Sequence, residues 1–119
     1  MRNLSVLIIE DEPLIAMMVE DFVDVLGHRV AGIADSITTA LEAVARGGFD
    51  VAILDVNLRD GACWPVADAL AEADAPFVIA SGGHVVPPPE AHAGRPHLPK
   101  PFSIDGVRAA LDGIAARPD

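Results

Sequence analysis

The stretch SVLIIEDEP, Ser5 to Pro13, decides the architecture. Ser5 to Ile9 is a short, continuous apolar run rich in β-branched residues, the pattern of a strand buried on both faces. Three acids, Glu10, Asp11 and Glu12, end it, and Pro13 then opens a helical pattern that runs to Leu26 and is closed by Gly27. The same alternation continues downstream. Asp50 to Leu54 and Phe77 to Ala80 are two more apolar runs of strand length, and Arg29 to Ala34 and Pro96 to Leu98 are weaker ones. Helical patterns lie between and after them. Ser36 to Arg46 is capped by Asp35 or Ser36 and stopped by Gly47 and Gly48, and Trp64 to Ala73 and Ile104 to Ala116 follow. Repeated strand-then-helix units predict an α/β fold with a doubly wound parallel sheet.

Composition narrows the class. A chain of 119 residues has room for one core, so residues 1–119 are expected to form one domain. Its 51% hydrophobic content includes four Phe, one Trp and no Tyr, which predicts an aliphatic core. No apolar run approaches the ~20 residues that span a bilayer, and residues 1–9 lack a signal-peptide pattern, so neither a membrane nor export is expected. The single cysteine, Cys63, suits a reducing, cytoplasmic setting. Eighteen acids against eight bases give a net charge of -10, which would repel phosphate backbones and argues against direct nucleic-acid binding. Lys100 is the only lysine.

In open α/β sheets, ligands bind beyond the carboxyl ends of the strands. Those ends carry Glu10, Asp11 and Glu12 after the first strand, Asp55 and Asn57 after the third, Ser81 after the fourth and Lys100 after the fifth. Carboxylates and a backbone carbonyl offer hard oxygen ligands to Mg²⁺. A carboxylate nucleophile, a hydroxyl and an ammonium around them suit phosphoryl transfer. Taken singly, each residue has a plainer reading. Asp11 or Glu12 could cap the Pro13 helix, Ser81 before Gly82 and Gly83 could be a turn, and Lys100 could be a solvated charge. Asp55 is harder to dismiss, because an unpaired carboxylate closing an apolar strand is costly. Their joint occurrence at successive strand ends favours a site.

The acids of VLIIEDEP, the LDVNL run holding Asp55, the ASG after the fourth strand and the LPKPF near the end together resemble the receiver domain of two-component response regulators. The resemblance covers almost the whole chain. It implies a flavodoxin-like (βα)5 fold with strand order 2-1-3-4-5, and a phosphoacceptor switch rather than an enzyme. Asp55 would accept the phosphoryl group from a sensor histidine kinase or a histidine phosphotransferase. Asp11 and Asp55 would ligate Mg²⁺ (or Mn²⁺) with the Asn57 carbonyl, and Glu10 would hold metal-bound water. Ser81 would bond the phosphoryl oxygens, Lys100 would pair with their charge, and the Lys100–Pro101 peptide would be cis. A downstream protein target is implied, and the chain is expected as a monomer or weak dimer, a stand-alone receiver ending after its last helix.

Three departures from the family pattern stand out. His97 occupies the position, three before Lys100, where relatives often carry an aromatic. Gly83, two beyond Ser81, offers no side chain to an attacking water. Six prolines between Gly82 and Pro101 predict that a loop replaces most of the fourth helix, with Gly82 to Arg95 as the segment that reads out phosphorylation. That erosion is similar to a subgroup of stand-alone receivers in alphaproteobacterial general stress signalling. On a helical wheel Ile15, Val19, Phe22 and Leu26 face the core, leaving Leu14 and Met17 outside as a docking patch for kinase helices, as the resemblance implies for this helix. Two competitors differ in class. A small phosphatase built on Asp55 and Asn57 would need a substrate cap and more length, and a flavin or nucleotide binder would need a phosphate loop where Glu10 to Glu12 stand.

Overall fold

The computed structural model describes residues 3–81 and 96–115. Among these, β1 (Ser5–Ile9), β2 (Arg29–Ala34), β3 (Val51–Asp55), β6 (Phe77–Ser81) and β7 (His97–Pro99) form one parallel sheet in the order β2-β1-β3-β6-β7. In terms of the five sheet strands this is 2-1-3-4-5, the flavodoxin-like order. Two further strands, β4 (Asn57–Leu58) and β5 (Gly61–Ala62), pair antiparallel in a small hairpin that the sequence reading did not anticipate. The helices are α1 (Pro13–Val25), α2 (Ile37–Arg46), α3 (Trp64–Glu72) and α4 (Ile104–Ala115). The expected replacement of a fourth helix by a proline-rich loop concerns residues 82–95, which lie outside the described residues, as does any readout by that segment.

The unbroken apolar runs are explained by helices on both faces of the sheet. Leu7, Ile9, Leu54 and Ile79 pack with α2 and α3 residues such as Ala40, Val66 and Leu70. Val6, Ile8, Ile53 and Val78 pack on the other face with Val19, Val23, Leu111 and Ile114 of α1 and α4. Every residue of β1 and β3 is buried, so period-2 alternation has no solvent face to report.

Several boundaries shift by one residue, and those of β3 and β7 do so for a local reason. Asp50 stands before β3, because its amide donates to the Ser5 carbonyl (2.7 Å) while its Oδ2 accepts from the Ser5 amide (2.8 Å). Asp55 therefore becomes the last ladder residue, opposite Ala80. Pro96 precedes β7 and contributes its carbonyl to the Ile79 amide (2.9 Å). On α1 the buried stripe is Ala16, Val19 and Val23, with Ile15, Phe22 and Leu26 only half-buried. Ala16 is buried in the cluster between helix and sheet, and the bulkier Ile15, Phe22 and Leu26 pack against its edge.

α2 starts at Ser36, whose hydroxyl accepts from the Thr39 amide (3.1 Å) while Thr39 Oγ1 accepts from the Ser36 amide (3.1 Å). This reciprocal cap settles which of Asp35 and Ser36 is the N-cap. No helix among the described residues is long and apolar enough to cross a membrane.

Candidate functional site: an acidic crevice at the strand ends

Sheet order brings β1 and β3 side by side, so their carboxyl ends open onto one crevice. Glu10 extends β1, its amide donating to the Ala34 carbonyl (2.9 Å), and its side chain is only 3% exposed. Its Oε2 accepts from the Glu12 amide (3.2 Å), which folds the acidic turn back over the strand end. Asp55, with a 9% exposed side chain, closes β3 directly alongside. Carboxylate oxygens of Glu10, Asp11 and Asp55 all lie within 4.8 Å of one another.

Lys100 answers part of that charge. Its Nζ donates to Glu10 Oε1 at 2.9 Å and lies 3.0 Å from Asp55 Oδ1, with the Phe102 ring centroid 5.6 Å away. Burial works against the ammonium charge, yet the bonds to Glu10 and Asp55 outweigh it and hold Lys100 above its usual range. Glu10 moves the other way in charge. Burial first, then the neighbouring Asp55, push its carboxyl from 4.5 up to about 7, against the lowering effect of Lys100. Among the described residues one ammonium thus serves two of three clustered acids.

Helix capping does not account for the acids. Glu12 holds the N-cap position of α1 but makes no side-chain cap bond, and Pro13 at the first turn removes one donor. An all-oxygen donor set of clustered carboxylates fits Mg²⁺ or Mn²⁺ rather than a softer metal. Asn57 is exposed at the start of β4, two residues beyond Asp55. Ser81 closes β6, one residue past Ala80, the register partner of Asp55. His97 is exposed at the start of β7, opposite Ile79, and the Lys100–Pro101 peptide is cis. Leu14 and Met17 are 80% and 56% exposed on α1, clear of its core stripe.

Cys63 is fully buried, and burial first, then Asp55, push its thiol up to about 12, so it is a packing residue and no nucleophile.

The sequence matches the response regulator receiver domain over residues 6–112. The chain belongs to the response regulator receiver family. Receiver domains are phosphoacceptor switches, and this one has solved relatives of the same size. The structure of SdrG from Sphingomonas melonis Fr1 is 50% identical, covers 96% of this chain and 98% of that one, and superposes with a TM-score of 0.83. The BeF3-activated conformation of SdrG, from Pseudomonas melonis Fr1, is 51% identical over the same shares, with a TM-score of 0.80. The phyllosphere-induced regulator PhyR of Methylorubrum extorquens is 47% identical over 58 residues, which span 48% of this receiver and 22% of that protein.

Sequence reasoning missed two features of the receiver's crevice. Phe102 beneath Lys100 could have been found as the aromatic of LPKPF. The hairpin tip Arg59–Asp60 is tied to α2, and its signal was the Asp60-Gly61 turn pair between Leu58 and Ala62. Asp60 Oδ1 accepts from the Ile37 amide at 2.7 Å, and Arg59 Nη2 lies 2.6 Å from Asp35 Oδ2. The Ile37 bond, above all, holds the Asp60 carboxyl below its usual range.

Proposed function

We propose that this receiver is a phosphorylation switch in which Asp55 takes a phosphoryl group from a phosphohistidine of a sensor histidine kinase or histidine phosphotransferase and thereby alters binding to partner proteins. The observation that carries this reading is the position of Lys100 Nζ, 2.9 Å from Glu10 and 3.0 Å from Asp55, in a crevice where three carboxylates converge within 4.8 Å. A purely structural ion pair needs no third acid. Asp11, Asp55 and the Asn57 carbonyl would hold Mg²⁺ (or Mn²⁺), with Glu10 holding a metal-bound water. When bound, the cation neutralises phosphoryl charge and orients the group for in-line transfer.

In that transfer an Asp55 oxygen attacks phosphorus, the P–O bond forms as the P–N bond to the donor imidazole breaks, and the imidazole leaves with the electron pair and takes a proton. Lys100 can leave the Asp55 oxygen for a phosphoryl oxygen without losing Glu10, keeping a charge-assisted bond throughout. Ser81, at the end of the neighbouring strand, would bond another phosphoryl oxygen, and His97 and Pro101 would form the rest of the switch region. Leu14 and Met17, exposed on the helix that follows Asp11, would dock the donor. The similarity to SdrG, which has been solved in a BeF3-activated conformation, supports the same reading. A cytoplasmic location belongs to the proposal, since histidine kinases present their phosphohistidine there.

The test is intact-mass detection after incubation with a small phosphodonor and Mg²⁺. One phosphoryl adduct is expected on the wild type, and none on Asp55→Asn or after chelation of the metal. An adduct that persisted in Asp55→Asn would assign the acceptor elsewhere.

A further inference from the structure

The β4–β5 hairpin begins two residues after the phosphoacceptor and contains Asn57 in its first strand. Its base is well held. The Val56 amide donates to the Ala80 carbonyl (3.2 Å), the Val56 carbonyl accepts from the Cys63 amide (2.8 Å), and Leu58 is buried. Two strands of two residues each cannot hold their own shape in water, so the tip needs outside support. That support comes from α2. The Ile37 amide is one of the donors that a helix start leaves without an intrahelical partner, and it donates to Asp60 Oδ1 at 2.7 Å. Gly61, at φ +140°, fits against Ile37, whose Cδ1 lies 3.4 Å from where a Cβ would stand. The residues just before α2 are in turn tied to the opposite bank of the crevice, since the Ala34 carbonyl accepts from the Glu10 amide. Asn57 therefore sits in a closed run of contacts from Glu10 through Ala34, Asp35, Ile37 and Asp60 back to Asp55.

We propose that Asp60 is a positioning residue: its bond to the first turn of α2 holds the β4–β5 hairpin, and through it the Asn57 carbonyl, in the geometry that binds the cation. The inference rests on the proposed role of Asn57 as a metal ligand. The competing explanation is a second cap for α2, whose start Ser36 and Thr39 already secure. The two differ in one respect. A cap is indifferent to the cation, whereas a positioning contact is coupled to it in both directions by equal factors. Arg59 is a lesser part, because its ion pair with Asp35 is largely exposed.

The experiment is a Mg²⁺ titration followed by the fluorescence of Trp64, the only tryptophan, with the Ile37 amide exchange rate measured by NMR with and without Mg²⁺. Asp60→Ala is expected to weaken Mg²⁺ binding roughly three- to tenfold, less than the ~10–100-fold typical of groups bonded directly to a metal ligand. Asp60→Asn keeps an oxygen for the Ile37 amide and is expected within about twofold of wild type, as is Arg59→Ala. Mg²⁺ should slow Ile37 exchange in the wild type and lose that effect in Asp60→Ala. Wild-type Mg²⁺ affinity in Asp60→Ala, or Ile37 exchange in the wild type that ignores Mg²⁺, overturns the inference alone. A wild-type protein that binds no Mg²⁺ overturns it together with the proposed metal site. The Ile37 arm needs only the wild type, so it decides the matter even if Asp60→Ala fails to fold.

Discussion

Lys100 and Glu10 set the electrostatics of the crevice between them. The ammonium is satisfied by two carboxylates, whereas Glu10, buried and beside Asp55, holds its proton to about pH 7. In the unfolded chain that proton leaves near 4.5, so the fold binds more protons between these values. Stability in metal-free buffer is therefore expected to fall as pH rises from about 4.5 to about 7, and Glu10→Gln should flatten that slope. Denaturant unfolding at several pH values in the presence of a chelator checks it, and a slope unchanged in Glu10→Gln would assign the effect to another group. Lys100 does not confuse the window, because its contribution is complete below its ordinary 10.5 and is lost only as pH rises through its raised value. Mg²⁺ affinity should rise over the range where Glu10 loses its proton, since an ionised Glu10 adds negative charge beside the proposed ligands and accepts from a metal-bound water.

On helix α1 the buried stripe and the proposed docking residues lie on different faces. Ala16, Val19 and Val23 bury its core stripe, while Leu14 and Met17 stand in solvent at the end nearest the crevice. Truncating Val19 to Ala is expected to cost on the order of 2 kcal/mol, from lost burial and the cavity left behind. Leu14→Glu and Met17→Glu should change stability by no more than about 0.5 kcal/mol, as exposed sites do, yet slow phosphotransfer from the cognate kinase. Phosphotransfer kinetics beside thermal unfolding of the three variants tests the division. Unaltered transfer in both charged variants would make the exposed pair incidental. The α1 stripe also marks a limit of sequence reading. A wheel recovers the apolar sector, but not that Ala16 is buried while Ile15 is only half-buried, because burial depends on the neighbouring layer. The β4–β5 hairpin shows the same limit. Its strands are too short to carry a pattern, and only its contacts with α2 give it a shape.

With a net charge of -10, the whole molecule repels itself, and Glu10, Asp11 and Asp55 converge in one crevice. Monovalent salt should stabilise it modestly by general screening. Mg²⁺ at a hundred times its Kd should add about 2.7 kcal/mol through site binding, an effect that NaCl of matched ionic strength cannot reproduce. Denaturant unfolding in the two salts compares them, and equal effects would mean that the cation merely screens. Much of this molecule was legible in the sequence because the relevant information is local. Unbroken apolar runs mean strands buried on both faces, proline and glycine mark helix ends, and the carboxyl ends of parallel strands are where an α/β sheet binds ligands. Those rules picked out Glu10, Asp11, Asp55 and Lys100, which the structure brings together, and the LPKPF resemblance implied the cis peptide now seen before Pro101. The tertiary structure alone decided which carboxylates share the lysine, that burial pushes Glu10 toward its neutral form, and that Asp60 ties the loop beyond Asp55 to α2. Those outcomes depend on distances of a few ångströms between segments up to 90 residues apart in the chain, and on how much water the fold leaves between them. Neither quantity is encoded by any one stretch of residues.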